Sequence, residues 1–468
     1  MPTNKSKFSR RSFMTASATA AAAAGGFAYH AENGTVSANV RRSSEPSKLR
    51  ITDLRVARLK MDYIIRIDTN QGISGIGELK GGASKIYALM LKRVILGENP
   101  CNVDKIFRKI KQFGSHARQG AGVFAVEMAL WDLAGKAWGV PIWQMLGGKF
   151  RDKILMYSEA NPFSSDPVVM GNRMKGIMDK GYKFLKMDIG IRLLEGIEGT
   201  LTQPPGMSKT NDIMHPFTGI RVTDKGLQVM EDYCATIRDI VGWEIPIATD
   251  HFGHMGIEDC IKIAQRLDKF NFAWYEDMIP WQLTDQYVRL SNSCTTPILT
   301  GEDIYLVEGF MPLIEKKAVA IIHPDLGSSG GILETKKLGD IAQEHGIAMA
   351  IHGCNYHPRM YASIHCVAAT ENFLAQEFTH PNEAWYDEMI EGVPKPLVQD
   401  GYIQVPDGPG LGFEWVEDVV KSQMPNPKEY FLPTPEWDDE ELRINDRLWS
   451  MIRDDERIMS RERSTAVV

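Results

Sequence analysis

The sequence predicts an α/β protein in which a (β/α) barrel follows an N-terminal α+β unit. Three observations carry that expectation. Asp250, Glu276, Glu302, Asp325, His352 and Glu377 recur at intervals of 26, 26, 23, 27 and 25 residues, and a strand, a helix and two short loops together take roughly 25 residues. The first five each end an apolar run, IPIAT, FAWY, PILTG, AVAIIHP and IAMAI in turn, as strands buried on both faces of a parallel sheet do. Ahead of them, residues 51–69 alternate apolar and polar side chains, the pattern of antiparallel strands with one wet face. Polar groups at the C-terminal ends of consecutive parallel strands converge on one mouth of a barrel, where such enzymes keep their chemistry.

Taken in order, the chain opens on Ser9-Arg10-Arg11-Ser12-Phe13-Met14, then an Ala-rich run from Thr15 to Phe27 and small residues at Val36-Ser37-Ala38. This is a twin-arginine export pattern, with cleavage expected before Asn39. Residues 1–38 are read as the signal and 39–49 as a linker. The mature protein is expected outside the cytoplasm, in the periplasm of a bacterium, after passage through the twin-arginine machinery. The Ala-rich run is too short for a stable membrane span.

Two strands over 51–69 and a third near 72–77 lead into helical patterns from Lys80 to Ala134, giving an α+β unit over 50–150. Pro141 and Gly147-Gly148 punctuate the join. The barrel is expected over 151–400. Its first strand is Lys153–Tyr157 and its second Tyr182–Asp188. From Lys186 to Asp250 is 64 residues, too long for one βα unit, which places an insertion at 193–224 that serves as a lid or as an oligomer contact. Residues 401–468 are expected to close back on the cap, or to meet a neighbouring subunit.

Composition narrows the function. Fifty-three Lys and Arg stand against 60 Asp and Glu, a net charge of -7, with no basic stripe for nucleic acid. The six cysteines at 101, 234, 260, 294, 354 and 366 lack C-x-x-C spacing, so they read as buried thiols and not as a zinc site. Asp250, Glu276 and Glu302 end adjacent strands and concentrate hard oxygen donors, which suits Mg2+.

Beyond these readings, the chain resembles the mandelate racemase-like subgroup of the enolase superfamily. The resemblance rests on Ala129-Leu130-Trp131-Asp132 with Gly135-Lys136, Leu146-Gly147-Gly148, Trp274-Tyr275-Glu276-Asp277 and Thr300-Gly301-Glu302. It continues in His323-Pro324-Asp325-Leu326-Gly327 with Gly330-Gly331, and in Pro409-Gly410-Leu411-Gly412. It implies a capping α+β domain on a modified TIM barrel, (β/α)7β, and a homo-oligomer. It makes Asp250, Glu276 and Glu302 the Mg2+ ligands, His352 with Asp325 a base dyad, and Glu377 an acid that hydrogen-bonds the substrate carboxylate or enolate. Mg2+ opposite Lys186 would stabilise the ene-diolate left when an α-proton leaves a carboxylate.

Two departures refine this. Racemases of the subgroup carry Lys-x-Lys on the second strand, whereas this chain has Lys186-Met187-Asp188. With one good base, dehydration of an aldonic or aldaric acid to a 2-keto-3-deoxy acid is favoured over racemisation. In Asp250-His251-Phe252-Gly253-His254, Phe stands where some of the subgroup's sugar-acid dehydratases place His. His254 and His251 are then candidate general acids, with His251 also a candidate substrate contact, while Asp188 is a candidate acid or an orienter of Lys186. Tyr356 and His357 are candidates for the mouth. The expected activity is a Mg2+-dependent acid-sugar dehydratase acting on a small carboxylic acid. A racemase, epimerase or cycloisomerase on the same site and a non-catalytic sugar-acid binder are the rivals.

Overall fold

The computed structural model describes residues 44–111, 117–203, 219–250, 252, 255–353, 355–381 and 383–438. The export segment, His251, His254, Cys354 and the 204–218 part of the insertion lie outside the described residues. Among the described residues no helix is long and apolar enough to cross a membrane.

The N-terminal unit is a three-stranded antiparallel sheet of β1 (Ile51–Leu59), β2 (Asp62–Thr69) and β3 (Ser74–Glu78). Lys60 turns the first hairpin at φ 49°. The long helix Ala117–Trp138 covers the sheet, and Gly77 explains how closely. A Cβ there would stand 2.0 Å from the carbonyl oxygen of Ala125, so helix and strand meet backbone to backbone.

The barrel strands are β4 (Lys153–Glu159) and β5 (Leu185–Asp188), then, after a short antiparallel pair β6 (Leu201–Thr202) and β7 (Arg221–Val222) in the insertion, β8 (Ile247–Asp250), β9 (Tyr275–Glu276), β10 (Ile298–Thr300), β11 (Ile321–Ile322), β12 (Ala348–Ile351) and β13 (Phe373–Glu377). All eight barrel pairings are parallel, and β13 closes on β4 with Glu377 beside Tyr157. The last helix of a full eightfold barrel is replaced by the five-residue Ala384–Glu388, which makes this the (β/α)7β variant. The second strand starts three residues later than its apolar pattern suggested, and the first runs two residues further. β14 (Ile390–Glu391) and β16 (Glu414–Trp415) pair with each other, while β15 (Tyr402–Gln404) runs antiparallel to the start of β4. Residues 402–404 thus join the barrel sheet before the chain leaves for the cap.

Inside the barrel, Tyr157, Phe184, Ala248, Trp274, Leu299, Ile321, Ala350 and Ala375 form one buried cluster, one residue from each strand or from the position just before it. Tyr157, Phe184 and Trp274 meet tilted or edge-on at 4.9–5.4 Å between centroids. Burying side chains of this size contributes about 1.5–3 kcal/mol each.

Cap and barrel are joined by charged groups of the cap set into barrel helix termini. Glu127 accepts from the backbone N–H of Ile332 at 2.8 Å and of Leu333 at 3.1 Å, at the start of helix Gly331–Glu344. Glu78 accepts from the N–H of Tyr356 at 2.9 Å and of Arg359 at 3.2 Å, at the start of helix His357–Ala368. These carboxylates satisfy donors that a helix leaves open and meet the positive end of its dipole. Lys80 donates to the Glu302 carbonyl (2.8 Å), Asp303 (2.7 Å) and Ser328 (2.7 Å). The C-terminal segment then returns over the cap. Leu411 N–H donates to Asp132 at 2.9 Å, Thr434 donates to the Leu54 carbonyl at 3.0 Å, and Trp437 is buried in the cap core.

Candidate active site

Side chains alternate along a strand, so the residues two positions beyond the interior cluster form the next inward layer towards the C-terminal mouth. That layer reads Glu159, Lys186, Asp250, Glu276, Gly301, His323, His352 and Glu377. Seven of the eight are ionisable at neighbouring heights, and His352, Asp250, Glu276 and Glu377 were legible as strand-end residues. Glu159 and His323 were not singled out.

Lys186 is the hub. Its ammonium lies 2.8 Å from Glu377, 2.9 Å from Asp250 and 3.3 Å from Glu276. Burial would lower its pKa, but these three carboxylates hold it well above the usual lysine value, so it is a permanent cation. Glu377 responds in kind. Burial would raise it, yet Lys186, His352 and His323 bring it down to about 2, and Gly353 N–H donates to its second oxygen at 3.0 Å.

His352 Nδ1 lies 2.8 Å from Asp325 Oδ2, and Nε2 lies 3.0 Å from Glu302 Oε2. Asp325 is fully buried, which alone would raise it. Arg359, the hydrogen bond to His352 and the charge of Lys80 instead hold it far below the usual carboxylate range. Arg359 reaches both Asp325 oxygens at 3.2 and 3.3 Å, and Gly327 N–H donates to Oδ1 at 2.7 Å. Asp325 is therefore a fixed anion that sets the tautomer of His352. The N–H assignment follows from that partner.

The acids gather beside this dyad. Glu276, Asp277 and Glu302 bring ligand oxygens within 4.8 Å of one another. Sequence reasoning placed Asp250 in that group with Glu276 and Glu302; its Oδ2 lies beside Lys186, and Asp277 adds a further carboxylate next to Glu276. Asp277 adopts a left-handed backbone, φ 45°, which Asp tolerates, and the Thr300 hydroxyl donates to it. The missed signal was its place directly after Glu276 in WYED. Glu276 is also braced from below. Trp274 Nε1 donates to Oε2 at 2.9 Å, His323 Nδ1 lies 3.1 Å from Oε1, and Tyr157 pairs with His323 Nε2 at 2.8 Å. Burial and the charge of His352 push His323 down to about 3, so it stays neutral.

This donor set fits a divalent cation. Burial and Asp250 push Glu276 up, while burial and Glu302 push Asp277 up. Crowded buried carboxylates of this kind need positive charge beyond one lysine. All the donors are hard oxygens, which favours Mg2+ or a similar ion over zinc. Asp188 sits at the end of β5, opposite Asp250 in register, and its charge adds to the burial that pushes Glu159 up to about 9. Tyr356 and His357 lie past β12, where His357 is fully buried against Tyr386. His357 therefore packs behind the mouth and does not line it.

Comparison with known proteins agrees with this geometry. The profile of the enolase C-terminal domain-like family matches residues 170–419, and that of the mandelate racemase/muconate lactonizing enzyme N-terminal domain matches 32–147. A D-xylonate dehydratase from Haloferax volcanii is 29% identical over 390 residues, covering 80% of this chain and 89% of that protein. A D-galactonate dehydratase family member, RspA, from Halomonas elongata is 26% identical over 368 residues, covering 76% and 90%. Among solved structures, a member of the enolase superfamily from Salmonella Typhimurium superposes with a TM-score of 0.69 at 25% identity, covering 80% and 98%. A mandelate racemase/muconate lactonizing enzyme-like protein from Rubrobacter xylanophilus gives 0.70 at 25%, covering 80% and 97%. The chain belongs to the mandelate racemase/muconate lactonizing enzyme family of the enolase superfamily.

Proposed function

We propose that this protein is a Mg2+-dependent hydro-lyase that dehydrates an aldonic or aldaric acid to its 2-keto-3-deoxy acid. The observation that carries the reading is the inward layer itself, which sets Lys186, Glu377 and the His352–Asp325 dyad around one acidic cluster. The names of the Haloferax and Halomonas relatives support the substrate class.

Glu276, Asp277 and Glu302, with Asp250 beside them, would hold the cation. When bound, it supplies positive charge where the ene-diolate develops its second negative charge. Lys186 adds a second cation for the substrate carboxylate, and it needs no proton uptake to do so. His352 Nε2 takes the α-proton. The imidazolium then formed is flanked by Asp325 on Nδ1 and by Glu302 on Nε2, which lowers the cost of charging it. Glu377 is ionised, so it accepts hydrogen bonds from substrate hydroxyls and does not donate them. Asp188 in place of a second lysine weighs against racemisation, which needs bases on both faces.

The test is a panel of aldonic and aldaric acids, D-xylonate and D-galactonate first, with the Mg2+-loaded protein and semicarbazide to trap 2-keto products. A signal that His352→Asn abolishes is the expected result. Deuterium exchange at the α-carbon without product would transfer the site to a racemase or epimerase. Ligand binding with neither exchange nor product would make it a binder. Export of residues 1–38 belongs to the same proposal. Replacing Arg10 and Arg11 with Lys is expected to retain the protein in the cytoplasm of a bacterial host, read by fractionation.

A further inference from the structure

The base dyad is assembled across two strands, with Asp325 just past β11 and His352 just past β12. Two side chains of the cap reach both halves of it. Glu78 ends β3, where its pairing with Ile64 fixes it to the cap sheet. Its Oε1 accepts from Tyr356 N–H at 2.9 Å and its Oε2 from Arg359 N–H at 3.2 Å, and the Arg359 guanidinium lies 3.5 Å from Oε1. One cap carboxyl therefore holds Arg359 by its backbone and by its head. Two residues on, Lys80 donates to Ser328 in the short helix Leu326–Ser329, whose first turn Asp325 caps.

The guanidinium carries the connection inward. Its Nη1 lies 3.2 Å from Asp325 Oδ1 and 3.3 Å from Oδ2, and that same Oδ2 lies 2.8 Å from His352 Nδ1. Glu78, Arg359 and Asp325 are each at most 1% exposed, so bulk water screens none of these contacts. Gly327 makes the approach possible, since a Cβ there would stand 2.6 Å from Nη1.

We infer that Arg359 is a positioning residue through which the cap sets the His352 base. Glu78 fixes the guanidinium, the guanidinium fixes Asp325, and Asp325 fixes the imidazole. The inference rests on the dehydratase reading above, in which His352 takes the α-proton. It makes the cap part of the proton-transfer step and not only a cover for the mouth. A purely structural Arg359 would need only to neutralise Asp325, and an ammonium would serve as well. A planar guanidinium also fixes direction, which an ammonium does not. The two roles separate when the guanidinium is moved with its charge intact, because Asp325 then turns and carries Nε2 away from its line to the α-proton. Misplacing a reacting group by about 1 Å can cost about 10²-fold.

The experiment compares the Mg2+-loaded wild type with Gly327→Ala, Arg359→Lys and Glu78→Gln, on D-xylonate or the panel acid that the wild type dehydrates. Gly327→Ala keeps every charged group, lies in a helical turn that accepts Ala, and meets first the far end of the flexible Arg359. Arg359→Lys keeps the charge without the planar head, and Glu78→Gln weakens the cap's hold. In all three, kcat for 2-keto product and the rate of α-exchange in D2O are expected to fall together by about 10–100-fold. KM should stay within a few-fold, and the urea midpoint of Gly327→Ala should stay near that of the wild type. The downfield proton resonance of His352 Nδ1–H, assigned by its loss in His352→Asn, should shift in Gly327→Ala with no substrate present. A wild-type kcat in Gly327→Ala or in Glu78→Gln overturns the inference and leaves the dehydratase reading standing. So does a loss of kcat that merely follows the loss of stability across the three variants, or an Nδ1–H resonance that stays at its wild-type position. A wild type that neither exchanges nor dehydrates any acid of the panel removes the dehydratase reading and this inference together.

Discussion

Arg359→Met is the substitution whose cost the structure fixes most closely. Arg359 is 1% exposed and lies between two carboxyl groups that are themselves buried. Its guanidinium reaches Asp325 at 3.2 and 3.3 Å and Glu78 at 3.5 Å. Met fills much of the volume, so the cavity left is small, and the loss is electrostatic. Removing one partner of a buried ion pair costs about 3–5 kcal/mol. Asp325 keeps Gly327 N–H and His352, and Glu78 keeps two backbone N–H donors, so we expect the lower half of that range near pH 6. The value should grow with pH. Burial already raises Glu78 from 4.5 to about 7 even with Arg359 beside it, and without the guanidinium it rises further. A carboxyl whose folded pKa is raised contributes stability that is complete below 4.5 and is lost as pH climbs through the folded value. The variant's window therefore extends higher than the wild type's, and its deficit should be larger at pH 8 than at pH 6. Equilibrium urea unfolding at both values reads this directly. A loss below about 1 kcal/mol at pH 8, or one that is equal at the two pH values, would refute the reasoning.

Three further outcomes are expected. His352→Asn should lower product formation about 10³–10⁴-fold with little change in stability, checked by turnover and unfolding on one preparation. Gly331→Ala should destabilise by at least about 2 kcal/mol in thermal or urea unfolding, because its Cβ would meet Glu127 at 2.1 Å and the backbone sits at φ 76°. Saturating Mg2+ should stabilise the fold by about 2.7 kcal/mol at one hundred times the dissociation constant. EDTA should reverse this, and Asp277→Asn should weaken the affinity measured by calorimetry.

The strand ends were legible because each places a polar residue after a run that is otherwise apolar. The same feature hid the rest. A strand buried on both faces shows no alternation, so nothing in FAWY distinguishes the inward Trp274, which braces Glu276, from the outward Tyr275. His323 stood inside the AVAIIHP run that leads to Asp325 and drew no notice of its own, although its ring belongs to the inward layer. Glu159 lay two residues past the expected end of its strand. Asp277 and the Lys186–Asp250 pair escaped notice for a different reason. Which carboxylates meet depends on Lys186, 64 residues upstream of Asp250, and no local pattern encodes that pairing. The (β/α)7β architecture came from the resemblance, and the short Ala384–Glu388 bears it out.

The course of the last described residues has a consequence for how the protein is made. Lys92 in the cap is buried and pairs with Asp53 at 2.6 Å, but it also takes Thr434 at 3.0 Å and Asp438 at 2.7 Å from the far end of the chain. Asp132 waits likewise for the N–H of Leu411, and the start of β4 waits for β15. A nascent chain emerging from the ribosome can thus form its cap sheet early, yet cannot seal it until residues 434–438 have emerged. Truncation from the C-terminus would expose the oldest part of the protein first, so a ribosome that stalls late should release a chain whose cap, and not its barrel, is the segment that proteases find.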